Sequence, residues 1–132
     1  MLNPTHPNPD DRYARGQRAL AEIDGAAGQA VIDSLADIAP DFARYLFEFP
    51  FGDIYSRPGL DLRSREIATI AALAALGHAV PQLKVHIRAG LNVGLTQTEI
   101  VEILMQMAVY AGFPAALNGL FAAREVFADK PS

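Results

Sequence analysis

The chain has 132 residues and a formal net charge of −4, from 11 Lys+Arg against 15 Asp+Glu. That length suits one ordinary domain, and without a basic block nucleic-acid binding is not expected. Cysteine is absent, which removes disulfides, thiolate metal sites, iron–sulfur clusters and thiol redox chemistry together.

In chain order, residues 1–9 carry three prolines and no periodicity, and are expected to form a flexible tail ahead of one domain over 10–132. MLNPTHPNPDD has no apolar leader core, and the run Ile67 to Leu76 falls far short of the ~20 residues a membrane span needs. A soluble cytoplasmic protein without membrane partners is expected. Asp10 and Asp11 favour a helix start, and Tyr13, Ala19, Leu20 and Ile23 carry that helix to about Asp24. Val31, Ile32, Leu35 and Ile38 mark a second helix, stopping before Pro40. A third runs from Asp41 through Phe49, and Phe51 to Asp61 reads as the longest irregular stretch. Arg63 to Leu76 is the fourth helix, with Gly77 at its end. Pro81 opens a fifth, ending at Gly94. Thr96 and Glu99 form a capping box for a sixth, through Tyr110, and Pro114 suits the first turn of a last helix ending near Ala128. No segment alternates with period two, so the fold reads as all-α, with about seven helices in a bundle.

The last two helices are apolar nearly all round, from Ile100 to Val109 and from Ala115 to Phe127. Such helices must be covered on every side, and contacts between copies of the chain are the simplest cover. A homo-oligomer is therefore expected.

At 100° per residue, Arg63 falls on the apolar stripe of its helix and Glu66 on its edge, in line with Ile70 and Leu73. By itself the pair reads as an i,i+3 salt bridge at a helix start. His86 lies on the edge of the stripe Leu83, Ile87 and Leu91, beside Gly90. That glycine leaves room for a small ligand or for a close helix crossing. Arg88 projects about 200° away from His86, so the two enter one pocket only across a subunit interface. His6 reads as solvated and His78 as an exposed turn residue. The three histidines form no metal-ligand spacing, and no phosphate loop or nucleophile elbow is present. Tyr110 is a phenol on an otherwise apolar helix, suited to a pocket lining.

From Asp11 to Phe127 the chain resembles the carboxymuconolactone decarboxylase family. The blocks FGDIYSRPGLDLRSRE, from Phe51 to Glu66, and LKVHIRAGLNVGLTQTEIVEILMQMAVYAGFPAALN, from Leu83 to Asn118, carry the resemblance. It implies an all-helical subunit assembled into a ring, typically a hexamer. The implied activity is decarboxylation of 4-carboxymuconolactone, or a related lactone acid, to the enol-lactone in aromatic catabolism, without metal or other cofactor. Alkylhydroperoxidase D-like relatives use a Cys-x-x-Cys pair where this chain reads GHAVPQLKVH, so their peroxidase chemistry is excluded here. Two positions depart from the decarboxylase pattern: Glu66 stands for a small polar residue, and His78 for an arginine. A lyase, isomerase or cyclase acting on a different lactone or enolisable acid is the alternative activity, and a non-catalytic helical assembly protein is the non-enzymatic one.

The implied chemistry assigns roles. His86 is the general acid, since histidine titrates near neutrality. Glu66 orients His86 or holds Arg63. Arg63, Arg57 and, across an interface, Arg88 are candidate carboxylate clamps. Tyr110 or Tyr55 is the candidate donor to the developing oxyanion.

Overall fold

The structure is a computed structural model and describes residues 9–129. The expected tail, His6 included, lies outside the described residues, except that Pro9 already opens the first helix. Every regular element among the described residues is helical: α1 (Pro9–Asp24), α2 (Ala27–Leu35), α3 (Pro40–Leu46), a π-helix (Phe47–Ile54), α4 (Leu62–Leu76), α5 (Val80–Asn92), α6 (Gln97–Ala111) and α7 (Phe113–Ala128). The all-α expectation and the seven α-helices hold. No helix among them is long and apolar enough to cross a membrane.

The chain forms two compact units that part between Leu60 and Asp61. In the first, α1 packs against the π-helix through two glycines. A Cβ on Gly16 would stand 1.9 Å from the Phe47 carbonyl oxygen, and one on Gly52 would stand 2.5 Å from that of Arg12. Hydrogen at both positions is what lets the two backbones touch. Phe47, 2% exposed, fills the space beside them and meets the Tyr13 ring edge-on at 5.5 Å. Arg12 clasps Asp53 with contacts of 2.6–3.1 Å and also reaches Glu48 at 3.4 Å. Arg15 donates to the Gly52 carbonyl at 2.7 Å. The π-helix replaces the last three residues expected in the third helix and the first four of the stretch expected to be irregular. Pro50 has no N–H to continue an i→i−4 ladder, and the wider turn recovers a bond from the Tyr55 N–H to the Pro50 carbonyl at 2.8 Å.

In the second unit the helix limits follow local signals. The Asp61 side chain accepts the Ser64 N–H at 2.7 Å and starts α4, and Gly77, at φ 80°, ends it. Thr96 and Glu99 form the expected capping box of α6, with reciprocal bonds of 3.1 and 3.0 Å. Ile70, Ile87, Ile100 and Leu104 are fully buried where α4, α5 and α6 meet. Each contributes about 1.5–3 kcal/mol by leaving water.

Within one copy of the chain, α6 and α7 bury only part of their apolar circumference. Val109, Tyr110 and Phe113 remain 76%, 77% and 73% exposed, and Met105, Leu117 and Phe121 stay open beyond them.

Candidate functional site

The buried stripe of α4 runs through Glu66, Ile70 and Ala74. The sequence placed Glu66 on the edge of the apolar stripe; in the structure it belongs to the buried stripe itself, and its side chain is 0% exposed. On α5 the buried residues are Leu83, Ile87, Ala89 and Gly90, and His86 stands at their border, its side chain 19% exposed. The two elements bring Glu66 Oε2 within 2.9 Å of His86 Nδ1. A carboxylate there accepts the Nδ1 proton, which leaves Nε2, the other ring nitrogen, to exchange protons with a bound molecule. The second oxygen, Glu66 Oε1, is buried without a hydrogen-bond partner among the described residues. A stranded buried acceptor of this kind costs about 1–3 kcal/mol. Of the two partners expected for Glu66, the structure selects His86.

Gly90 does not open a pocket beside the imidazole. A Cβ there would meet Leu95 Cδ1 at 2.9 Å and Ile70 Cδ1 at 3.1 Å, so the glycine serves the close helix crossing and the room is filled by core.

Arg63 is part-exposed and pairs with Glu99 of α6 rather than with Glu66. Glu99 is held below its ordinary carboxylate range, first by the Thr96 backbone N–H and then by Arg63. Arg88 is exposed on the far side of α5 from His86, as the helix geometry implied, and pairs with Asp129 after α7. Tyr110 lies exposed at the end of α6. His78 is exposed in the turn after α4. Tyr55 and Arg57 belong to the first unit. Tyr55 is half-buried with its ring 5.1 Å from that of Phe51, and Arg57 is exposed. That unit also has an open cleft of about 320 Å³, lined by Tyr13, Ile32, Pro40, Ala43 and Arg44, none of them a candidate site residue of the sequence analysis. No group of three His, Asp or Glu side chains that could hold a metal ion occurs among the described residues.

Two features escaped sequence reasoning. Glu99 was legible as a cap, but its second oxygen engages a residue 36 positions away. The Arg12–Asp53 clasp joins residues 41 apart and left no local signal.

Comparison with known proteins bears on this geometry. The family model described as "Carboxymuconolactone decarboxylase family" matches residues 40–125. A 4-carboxymuconolactone decarboxylase of Acinetobacter baylyi is 36% identical over 92% of this chain and 91% of its own length. An uncharacterized 15.0 kDa protein of Paracoccus denitrificans is 31% identical, covering 87% of each chain. A nitrosuccinic acid decarboxylase of Metarhizium robertsii is 30% identical over 62% of this chain and 57% of its own.

Proposed function

The chain belongs to the carboxymuconolactone decarboxylase family, and on that premise we propose that it is a carboxy-lyase acting on 4-carboxymuconolactone or a closely related lactone acid. The observation that carries the reading is the Glu66–His86 pair: a fully buried carboxylate fixing the tautomer of an imidazole that still reaches the surface. Two relatives named as decarboxylases support the reaction class. The substrates in their names share a feature. A lactone carbonyl and a nitro group each take up the electron pair that a departing carboxylate leaves behind.

In the proposed reaction the bond between the ring carbon and the carboxylate breaks and CO₂ departs. The electron pair spreads through the ring onto the lactone carbonyl oxygen. His86, as the imidazolium, delivers a proton from Nε2 to a ring carbon, giving the enol-lactone, and regains a proton from water. The ring is its own electron sink, so the chemistry requires no metal or other cofactor. Glu66 is an orienting and charge-balancing residue, since a carboxylate facing an anionic substrate would repel it. Arg63, one turn before Glu66 on α4, is the carboxylate clamp of this reading. Arg88 is turned away from His86, and neither Tyr55 nor Arg57 is needed.

The same reading takes the protein as a homo-oligomer, with the hexamer as the implied size. The face of Val109, Tyr110, Phe113 and Leu117 is the surface that further copies would cover. Its exposure favours Tyr110 as an interface residue over an oxyanion donor.

Release of CO₂ from 4-carboxymuconolactone by the purified protein is the direct test. His86→Gln should lower kcat by about 10²–10⁴ in a protein that stays folded. Full turnover per folded molecule in that variant would remove His86 from the chemistry. Turnover of another activated acid but not of the lactone would move the substrate and keep the reaction class.

A further inference from the structure

The clamp assigned to the substrate is already occupied. Glu99, at the third position of α6, divides its two oxygens between two partners: Oε1 accepts the Thr96 N–H at 3.0 Å, and Oε2 takes the Arg63 guanidinium. Only the first contact belongs to the cap, because a glutamine at this position closes a capping box as well as a glutamate does. The second contact is a contact of charge. Its two side chains are 43% and 39% exposed, a setting in which an ion pair is weak enough to open and close. Arg63 also stands one helical turn from Glu66, whose carboxylate holds His86.

We propose that Glu99 is a specificity-determining residue, a resident carboxylate that occupies Arg63 until a substrate carboxylate takes its place. This rests on the reading of Arg63 as the clamp. The consequence is selection by exchange. A ligand with its own carboxylate replaces one ion pair by another, and by a better one where both of its oxygens meet the planar guanidinium. A ligand without a carboxylate cannot displace Glu99. Arg88 is held in the same manner by Asp129, but on the side of α5 away from His86, so that pair exerts no such selection.

The test is steady-state kinetics with 4-carboxymuconolactone on the parent and on Glu99→Gln, Arg63→Gln, the double variant and Asp129→Asn, with thermal melts of each. Glu99→Gln keeps the cap and releases Arg63. It should lower KM about two- to fivefold, with kcat within about twofold and an unchanged melt. Arg63→Gln should raise KM. The double variant should match Arg63→Gln, because no guanidinium remains to be released, and Asp129→Asn should match the parent. Calorimetric titration with succinate, a non-reacting dicarboxylate, should show the same order of affinities without turnover. If Arg63→Gln raises KM while Glu99→Gln leaves it unchanged or raises it, the exchange is wrong and the clamp stands. If Arg63→Gln alters neither KM nor succinate binding, the clamp itself is wrong and the exchange falls with it.

Discussion

Glu66→Gln separates the catalytic reading of the buried pair from a structural one. Glutamine keeps the volume of the side chain, and its carbonyl oxygen can still accept the His86 Nδ1 proton across the 2.9 Å contact. What it removes is the negative charge facing the ring. A hydrogen bond to a charged group contributes about 1.5–3 kcal/mol, against about 0.5–1.5 for a neutral one. The imidazolium that delivers the proton depends on that charge more than the resting imidazole does. Each 1.36 kcal/mol is tenfold in rate, so losing the difference, about 1–1.5 kcal/mol, lowers kcat roughly 5- to 13-fold. KM should change little, because Glu66 is 0% exposed and a substrate meets the imidazole instead. Two opposing terms set the stability. Removing a buried charge is favourable, while the new amide N–H groups take the place of Oε1, which has no partner among the described residues. The melting temperature should therefore stay within a few degrees. CO₂ release measured alongside a thermal melt checks both quantities. A kcat within about twofold of the parent, with a melting temperature lowered by about 10 °C or more, would refute the reasoning and leave Glu66 as a packing and hydrogen-bonding residue only.

Charge on the open face of α6 and α7 should break assembly: Val109→Asp with Phe113→Asp is expected to sediment as smaller species than the parent, and a parent already monomeric at micromolar concentration would contradict the oligomer. Gly16→Ala drives a methyl group into the Phe47 carbonyl, 1.9 Å away. Backbone cannot yield cheaply, so a cost of about 1–3 kcal/mol should lower the melting temperature by roughly 5–15 °C. Gly90→Ala meets only the side-chain tips of Leu95 and Ile70 and gains about 1 kcal/mol of helix propensity, so its melt should move by less than about 3 °C; equal losses in the two variants would contradict the contrast. The hydrogen bonds from Arg12, with the charges of Arg12 and Arg15, hold the Asp53 carboxyl below its ordinary 3.8 against the opposing effect of burial. A depressed folded-state value means that this contribution is complete above about pH 4 and is lost as pH falls through that value. Asp53→Asn should accordingly start less stable at neutral pH and lose less on acidification, and parallel melting curves from pH 6 to pH 2.5 would contradict this.

What the sequence determined by itself was what depends on neighbours three or four residues apart. The start at Thr96 and the stop at Gly77 are local hydrogen-bond and dihedral requirements, and the structure has them where the residues require them. The absence of period-two alternation was enough for the all-α class. His86 at the border of the α5 stripe followed from helical spacing alone. Tertiary structure decided the rest. Pro50 marked a disturbance, but that the chain there continues as a π-helix packed on α1 through Gly16 and Gly52 is visible only in the folded unit. Glu66 had two plausible partners, Arg63 and His86, and spacing favours the nearer. The packing of α4 that buries Ile70 and Ala74 also carries Glu66 into the interior toward α5, while Arg63, in the first turn of the helix, stays part-exposed and meets Glu99. Gly90 by its spacing suits a small ligand or a close helix crossing, and Leu95 and Ile70 decide for the crossing. In each case the local sequence limits a side chain to one side of its own helix. Which partner waits there depends on how the helices rotate and cross, and that is settled by apolar burial summed over the whole unit.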